Sequence, residues 1–188
     1  MKEYPNWFEN TAINNFKEFL KPYKGKDNLK FLQLGAFTGD ASKWLLENII
    51  SQQSTLFDVD TWQGSNEKLH KDIEFDDVEN VYDQKLSGYS NFVKFKGRTI
   101  DFFYSDYAIP ETFDFIYVDA DHTAMSVMRD AAYSFDLLKS GGILAFDDYT
   151  WGTEDLEIPR RSIDAFGFLY SKYITVLTVG EQVWVKKK

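Results

Sequence analysis

The 188-residue sequence predicts an α/β protein whose doubly wound, mostly parallel sheet of about seven strands ends in an antiparallel C-terminal β-hairpin. Three observations support this fold class. Short apolar runs alternate with segments whose apolar residues recur at helical spacing, as in a parallel sheet covered on both faces. The last two apolar runs flank Gly180-Glu181, which indicates the hairpin. No repeat or Pro/Gly-rich linker divides the chain, so residues 1–188 are predicted to form one domain.

The strands are predicted from their short length and apolar composition, and the fourth is apolar enough to be buried on both faces. Most of them are followed directly by a glycine or an acidic residue. In chain order, the predicted strands cover residues 29–34, 55–59, 92–95, 113–118, 143–146, 174–179 and 182–185.

Helices are predicted where apolar residues fall on one stripe. Asp40 is the predicted N-cap of the second helix, and Gly141-Gly142 is the predicted turn that ends the third. Pro159 opens the last helix, because proline is tolerated in a first helical turn. The predicted helices cover residues 7–23, 40–50, 125–138 and a segment that begins at 159.

The long segment 61–91 differs from its surroundings, because it is polar and has aromatic residues scattered through it. We expect it to be part helix and part loop, and to cover a bound substrate as a cap. The aromatic residues predicted to line a substrate pocket are Trp62, Tyr82, Tyr89, Tyr149 and Trp151.

Composition limits the classes of function. The chain has 30 acidic and 21 basic residues and a formal net charge of −9, which disfavours binding to a phosphate backbone. It has no cysteine, so disulfides and thiolate metal sites are excluded. With no apolar run long enough for a bilayer and no signal-peptide pattern, we expect a cytoplasmic protein that does not bind membranes.

The first functional motif is the glycine loop between the first strand and the second helix. It reads Gly35-Ala36-Phe37-Thr38-Gly39, and its glycines allow a sharp turn and close approach to a ligand at a helix N-terminus. Asp60 ends the next strand, where nucleoside-binding α/β folds place an acidic residue on the ribose hydroxyls. Asp58 is the alternative candidate. Together the two signals predict binding of an adenosine-type cofactor.

The second motif consists of acidic residues at the ends of two further strands. Asp119-Ala120-Asp121-His122 follows the fourth strand, and Asp147-Asp148 follows the fifth. Parallel strands bring these ends to one edge of the sheet, where their negative charges need a cation or hydrogen-bond donors. Oxygen ligands suit Mg²⁺ or another divalent cation. Asp147 and Asp148 can share one ion only if the strand bends there, because adjacent strand residues point to opposite faces.

With these motifs the sequence resembles the class I S-adenosylmethionine-dependent methyltransferases over nearly its whole length. Its strand ends are similar to those of the metal-dependent catechol and caffeoyl-CoA O-methyltransferases, and its overall pattern is similar to small glycan and natural-product methyltransferases. The resemblance rests on order and spacing of the segments around residues 31–39, 57–64, 113–122, 137–149 and 159–166. It implies a Rossmann-like fold.

The resemblance implies roles for individual residues. Gly35, Ala36, Phe37 and Gly39 would hold the methionine end of S-adenosylmethionine, Asp60 its ribose and Thr99 its adenine, with Asp121 a further cofactor candidate. Metal positions of the metal-dependent group fall on Asp119, Asp147 and Asp148, and its general-base lysine falls on His122. The chain departs from the family at Gln33, where an acidic residue is usual, and at His122.

These assignments predict O-methylation of a small molecule or sugar. The metal would bind the acceptor oxygen and lower its pKa, with His122 as the base and Asp119 beside it. A homodimer is compatible with the sequence. Two alternatives stay open: a metal-independent N- or O-methyltransferase, and a nucleotide-binding domain without enzymatic activity.

Overall fold

The computed structural model describes residues 4–64, 75–152 and 158–188, and its strands form one mixed sheet. The strands are β1 (Lys30–Leu34), β2 (Thr55–Asp60), β3 (Phe92–Lys96), β4 (Phe113–Val118), β5 (Leu138–Phe146), β6 (Ile174–Val179) and β7 (Val183–Lys187). Their order across the sheet is β3-β2-β1-β4-β5-β7-β6. The first five strands are parallel, and β7 is antiparallel to both of its neighbours. The predicted fold class and the terminal hairpin are confirmed.

Helices cover both faces of this sheet. They are α1 (Ile13–Phe19), α2 (Asp40–Asn48), α3 (Val78–Leu86), α4 (Thr99–Phe103), α5 (Ala124–Leu137) and α6 (Pro159–Leu169). Buried residues of α1, α2 and α3 share one apolar cluster with the sheet, and those of α4, α5 and α6 share the other. Of the helices described, none is both long and apolar enough to cross a membrane.

The two apolar layers follow from side-chain alternation along the strands. In β1, Leu32 and Leu34 pack into the layer under α4, α5 and α6, whereas Phe31 packs into the opposite layer. All three are completely buried. A strand buried on both faces reads as a continuous apolar run, and this explains why the parallel strands could be recognised from composition.

Several predicted boundaries were wrong. The predicted helix 7–23 is a π turn at Phe8–Ala12, then α1, then a 3₁₀ turn at Lys21–Tyr23 that contains a proline. The predicted turn at Gly141-Gly142 lies inside β5 instead, because Leu138 already pairs with Phe113 before the register shifts. Tertiary strand pairing overrides the local turn signal at this point.

Part of the predicted acceptor cap belongs to the body of the fold. Within segment 61–91, α3 connects β2 to β3 and buries Val78, Tyr82 and Leu86 against the sheet. Residues 65–74 lie outside the described residues. A covering role for that part of the segment stays a prediction.

Candidate functional site

The candidate site lies at the carboxyl edge of the sheet, where the order of the strands reverses between β1 and β4. Ligands of open α/β sheets bind at such a switch point. Two loops meet directly there, because a Cβ atom built on Gly35 would lie 1.8 Å from the carbonyl oxygen of Asp119. Glycine is therefore required at position 35, and the loop after β1 abuts the loop after β4.

The glycine loop turns sharply before α2. Gly35 and Gly39 both have left-handed backbone conformations, with φ of +90° and +76°. Gly39 is the N-cap of α2, so the prediction that Asp40 caps this helix was wrong. Asp40 lies in the first turn instead, where its carboxylate accepts a hydrogen bond from Thr38 Oγ1 at 2.7 Å and pairs with Lys85 at 2.6 Å.

Asp60 anchors this glycine loop. Its Oδ2 accepts hydrogen bonds from the backbone N–H groups of Ala36 and Phe37, both at 2.8 Å, and its Oδ1 accepts one from Trp62 N at 2.7 Å. The indole of Trp62 donates in turn to the Phe37 carbonyl at 2.9 Å. Phe37 and Trp62 have positive φ, a conformation that these bonds stabilise. The predicted ribose-binding residue thus also shapes the predicted methionine-binding loop.

Gln33 stands where the family usually has an acidic residue, and its side-chain hydrogen bonds support the same loop. Its side chain is buried and donates to the Gly35 carbonyl at 2.8 Å, while its Oε1 accepts from Ser42 Oγ at 3.4 Å. The amide therefore links β1, the glycine loop and α2. A neutral side chain fits this enclosed position, because a buried carboxylate would need further donors.

Asp58, the alternative ribose candidate, lies inside the protein. It is fully buried, and its Oδ2 accepts a hydrogen bond from Tyr82 Oη at 2.7 Å. Its Oδ1 has no hydrogen-bond partner among the residues that the structure describes. Burial, against the hydrogen bond from Tyr82, raises the pKa of Asp58 to about 7. Of the two candidates, Asp60 lies nearer the surface and the glycine loop.

Thr99 and Asp121, the remaining cofactor candidates, use their side chains for local contacts. Thr99 is buried, and its hydroxyl donates to Asp130 Oδ1 at 2.9 Å and accepts from Arg129 at 3.1 Å. Asp121 is exposed and accepts from the backbone N–H of Thr123, the N-cap of α5, at 2.8 Å. The Thr99 hydroxyl is therefore engaged by Asp130 and Arg129, and its role at the adenine stays a prediction.

The ends of β4 and β5 bring Asp119, His122 and Asp148 together in a cluster that we call the acidic group. One ligand atom from each of these residues lies within 4.8 Å of the other two. His122 Nε2 is 2.8 Å from Asp148 Oδ2 and 3.7 Å from Asp119 Oδ1. The Trp151 ring lies 5.0 Å from the imidazole ring. Trp151 is the pocket candidate in contact with this group.

Burial and two neighbouring carboxylates perturb Asp119 in the acidic group. Burial, followed by the charges of Asp147 and Asp148, raises the pKa of Asp119 well above its usual range, and the hydrogen bond with His122 opposes the rise. Its side chain is still 31% exposed, so a ligand can reach it.

Asp147, which the sequence grouped with Asp119 and Asp148, points elsewhere. Its Oδ2 accepts a short hydrogen bond from Tyr117 Oη, and its Oδ1 accepts one from the Asp148 N–H at 2.9 Å. Burial first, and then the charge of Asp148, raises the pKa of Asp147 to about 6. In the acidic group His122 takes the position that Asp147 was expected to fill. The chain bends at Asp148, two residues after the end of β5, where φ is +57°.

Two residues near the site were missed by the sequence analysis. Tyr117 contacts Asp147 as described, and Gln182 Nε2 donates to Tyr117 Oη at 3.1 Å. Tyr117 precedes Asp119 by two residues on one strand, so strand alternation could have placed both side chains on one face. Gln182 lies 65 residues from Tyr117, and no local pattern connects them.

Comparison with known proteins identifies a family for most of this region. The family described as methyltransferase domain matches residues 32–149, which contain the glycine loop, Asp60 and the acidic group. An uncharacterized protein of Acanthamoeba polyphaga mimivirus is 23% identical over 124 residues, covering 66% of this chain and 53% of the viral protein. The chain thus spans about half the length of this curated relative.

Similar solved structures cover most of the chain. A protein described as an rRNA methylase from Clostridium thermocellum gives a TM-score of 0.68 at 12% identity, over 94% of this chain and 95% of its own. The N-methyltransferase NodS from Bradyrhizobium japonicum gives 0.62 at 14% identity, over 97% of each chain. The O-methyltransferase TomG from Streptomyces achromogenes, solved with S-adenosylmethionine, gives 0.61 at 16% identity, over 85% and 73%. The chain therefore belongs to the family of methyltransferase domains, with the fold of the class I S-adenosylmethionine-dependent methyltransferases.

Proposed function

We propose that this protein transfers the methyl group of S-adenosylmethionine to a hydroxyl of a small molecule or sugar. The observation that carries the proposal is the contact between the glycine loop and the loop that bears the acidic group, at Gly35 and Asp119. A donor held by the first loop and an acceptor held by the second are neighbours. Such positioning of two bound reactants supplies much of the acceleration in a bimolecular transfer.

On the donor side, Gly35 and Gly39 shape the cradle for the methionine end of the cofactor. Asp60 already accepts the N–H groups of Ala36 and Phe37, so we expect these two residues to contact the cofactor through other atoms. A carboxylate has about four acceptor positions, and Asp60 uses three of them. We assign the remaining position to one ribose hydroxyl. We propose that Thr99 and Asp121 contact the cofactor through backbone atoms, because their side chains form local hydrogen bonds.

On the acceptor side, the acidic group fits a divalent cation. Asp119 and Asp148 offer carboxylate oxygens and His122 offers an imidazole nitrogen, a mixed set that accepts Mg²⁺ or Mn²⁺. Burial first, and then the charges of Asp147 and Asp148, raises the pKa of Asp119, and a cation would offset those neighbouring charges. When bound, the ion would lower the pKa of an acceptor hydroxyl. In this version His122 is a metal ligand. Asp147 accepts a hydrogen bond from the Asp148 backbone and does not bind the ion.

A metal-independent version is the second candidate, and the distance of 2.8 Å between His122 Nε2 and Asp148 Oδ2 favours it. A base oriented by a carboxylate is the usual arrangement for removing a hydroxyl proton. In this version Asp148 orients the imidazole, and His122 takes the proton from the acceptor.

We propose the chemical class of the acceptor from the net charge of the protein and the charge of the site. A net charge of −9 and an acidic group at the site disfavour the phosphate backbone of RNA. A neutral amine is already nucleophilic, whereas a hydroxyl needs the base or cation that this group provides. We also propose a cytoplasmic location for this activity, since a chain without cysteine suits a reducing compartment.

The test is transfer of radiolabelled methyl from S-adenosylmethionine to a panel of polyphenols, sugars, amines and ribosomal RNA. We expect labelling of a hydroxylated small molecule. Labelling of RNA or amines alone would contradict the proposal. Binding of S-adenosylmethionine in calorimetry without transfer to any acceptor would instead indicate a binding domain.

A further inference from the structure

A buried chain of hydrogen bonds connects α1 to the acidic group. Asn15 Nδ2 and Trp184 Nε1 both donate to Gln182 Oε1, each at 2.9 Å. Gln182 Nε2 donates to Tyr117 Oη at 3.1 Å, and Tyr117 Oη donates to Asp147 Oδ2. Gln182, Trp184 and Tyr117 are almost completely buried. The chain joins α1, β7, β4 and the end of β5.

The donor and acceptor groups permit only one direction of donation along this series of hydrogen bonds. An indole N–H only donates, so the oxygen of Gln182 must face Trp184 and its amide nitrogen must face Tyr117. The Tyr117 oxygen accepts that bond, and its own proton is left to go to Asp147. The carboxylate of Asp147 is therefore held in one orientation by groups outside the acidic group.

The carboxylate of Asp147 in turn fixes the backbone of the next residue, Asp148. Asp147 Oδ1 accepts the N–H of Asp148 at 2.9 Å, and Asp148 has a φ of +57°, in the left-handed region. A residue other than glycine adopts that region when neighbouring contacts support it. The bend is what turns the Asp148 side chain to the face where its Oδ2 lies 2.8 Å from His122 Nε2.

We propose that Tyr117 and Asp147 are positioning residues that hold Asp148 against His122. The proposal rests on the proposed function in one respect, namely that the Asp148–His122 pair serves the acceptor. Tyr117 and Asp147 act through another residue and need not touch the substrate. Their role differs from the ligand role that the sequence suggested for Asp147.

The experiment uses the two histidines of the chain, His70 and His122, as reporters. Protein labelled with ¹⁵N in the imidazole ring gives two sets of ring signals, and a His70→Gln variant identifies the set from His122. Spectra are recorded at a fixed pH of about 8.5, two units above the usual imidazole pKa. Asp148→Asn provides the reference for a His122 ring that has lost its charged partner.

We expect Tyr117→Phe, which removes one hydroxyl, to move the His122 Nε2 signal toward its position in Asp148→Asn. Tyr82→Phe is the matched control. It also removes a buried hydroxyl bonded to a carboxylate, that of Asp58, and should leave the His122 signal unchanged. A wild-type His122 signal in Tyr117→Phe would overturn the proposal.

Asp147→Ala gives a second, independent test should Tyr117→Phe fold poorly. It removes both acceptor oxygens, the one bonded by the Tyr117 hydroxyl and the one bonded by the Asp148 N–H. The His122 signal should again move, and an unchanged signal would overturn the proposal. Failure of wild-type protein to transfer methyl groups would refute the proposed function but leave this spectroscopic result standing.

Discussion

Asp60 gives the sharpest test of the cofactor side, because its carboxylate connects the end of β2 to the glycine loop. Asp60→Ala removes the acceptor of three backbone N–H groups, those of Ala36, Phe37 and Trp62. Hydrogen bonds to a charged group contribute about 1.5–3 kcal/mol each, and water replaces part of that loss at this half-buried position. We expect a destabilisation of about 3 kcal/mol.

For a chain of this size the expected fall in melting temperature is about 6–12 °C. The loop loses its anchor and the ribose its acceptor, so affinity for S-adenosylhomocysteine should fall at least about tenfold, or 1.4 kcal/mol. Thermal melting followed by circular dichroism measures the first effect. Calorimetric titration well below the melting temperature of the variant measures the second.

Asp60→Asn is the matched variant, since its amide oxygen can keep the bonds from Ala36 and Phe37. Its amide nitrogen would face the Trp62 N–H, so one bond is lost and the expected cost is about 1 kcal/mol. We therefore expect Asp60→Asn to lose less stability than Asp60→Ala. An Asp60→Ala variant with the melting temperature of the wild type would refute the anchoring role. Destabilisation with unchanged affinity would move the ribose to another residue.

Three further predictions concern the neighbouring parts of the site. Gly35→Ala should unfold the protein or lower its melting temperature severely, because the new Cβ would lie 1.8 Å from the Asp119 carbonyl oxygen. Gly167→Ala is the control in α6. Its new Cβ would have no atom within 4 Å, so the variant should stabilise the folded protein by about 0.5–1 kcal/mol. Equal melting of the two variants would contradict this geometry. Burial raises the pKa of Asp58 to about 7, above its unfolded value, so its stabilising contribution is complete below about pH 4 and lost as pH rises through 7. Asp58→Asn should therefore gain stability relative to the wild type between about pH 4 and pH 8, by up to about 4 kcal/mol. Urea unfolding at both pH values measures that difference, and a constant difference would mean that Asp58 does not titrate in this range. Finally, methyl transfer to a hydroxylated acceptor should vanish in EDTA and return with Mg²⁺ or Mn²⁺, and Asp148→Asn should raise the metal concentration required. Full activity in EDTA would select the metal-independent version.

Much of this fold could be predicted from local sequence, for identifiable reasons. Parallel strands such as β1 and β4 are buried on both faces, so they appear as apolar runs whatever their neighbours are. Gly35 was recognisable from the spacing of the glycines between β1 and α2, although the structure shows that the close approach there is to another loop. The hairpin of β6 and β7 was recognisable because its two strands are joined by a short turn at Gly180.

The membership of the acidic group was decided by tertiary structure. From sequence, Asp147 and Asp148 are equivalent neighbours after β5, and nothing local says which one turns toward β4. The choice depends on Tyr117 and Gln182, and through Gln182 on Asn15, which is 167 residues away in the chain. These contacts hold Asp147 and leave Asp148 to meet His122. Sequence thus determined which residues reach this edge of the sheet, and packing between distant elements determined which way their side chains point, because side-chain direction at a strand end depends on partners that the strand itself does not encode.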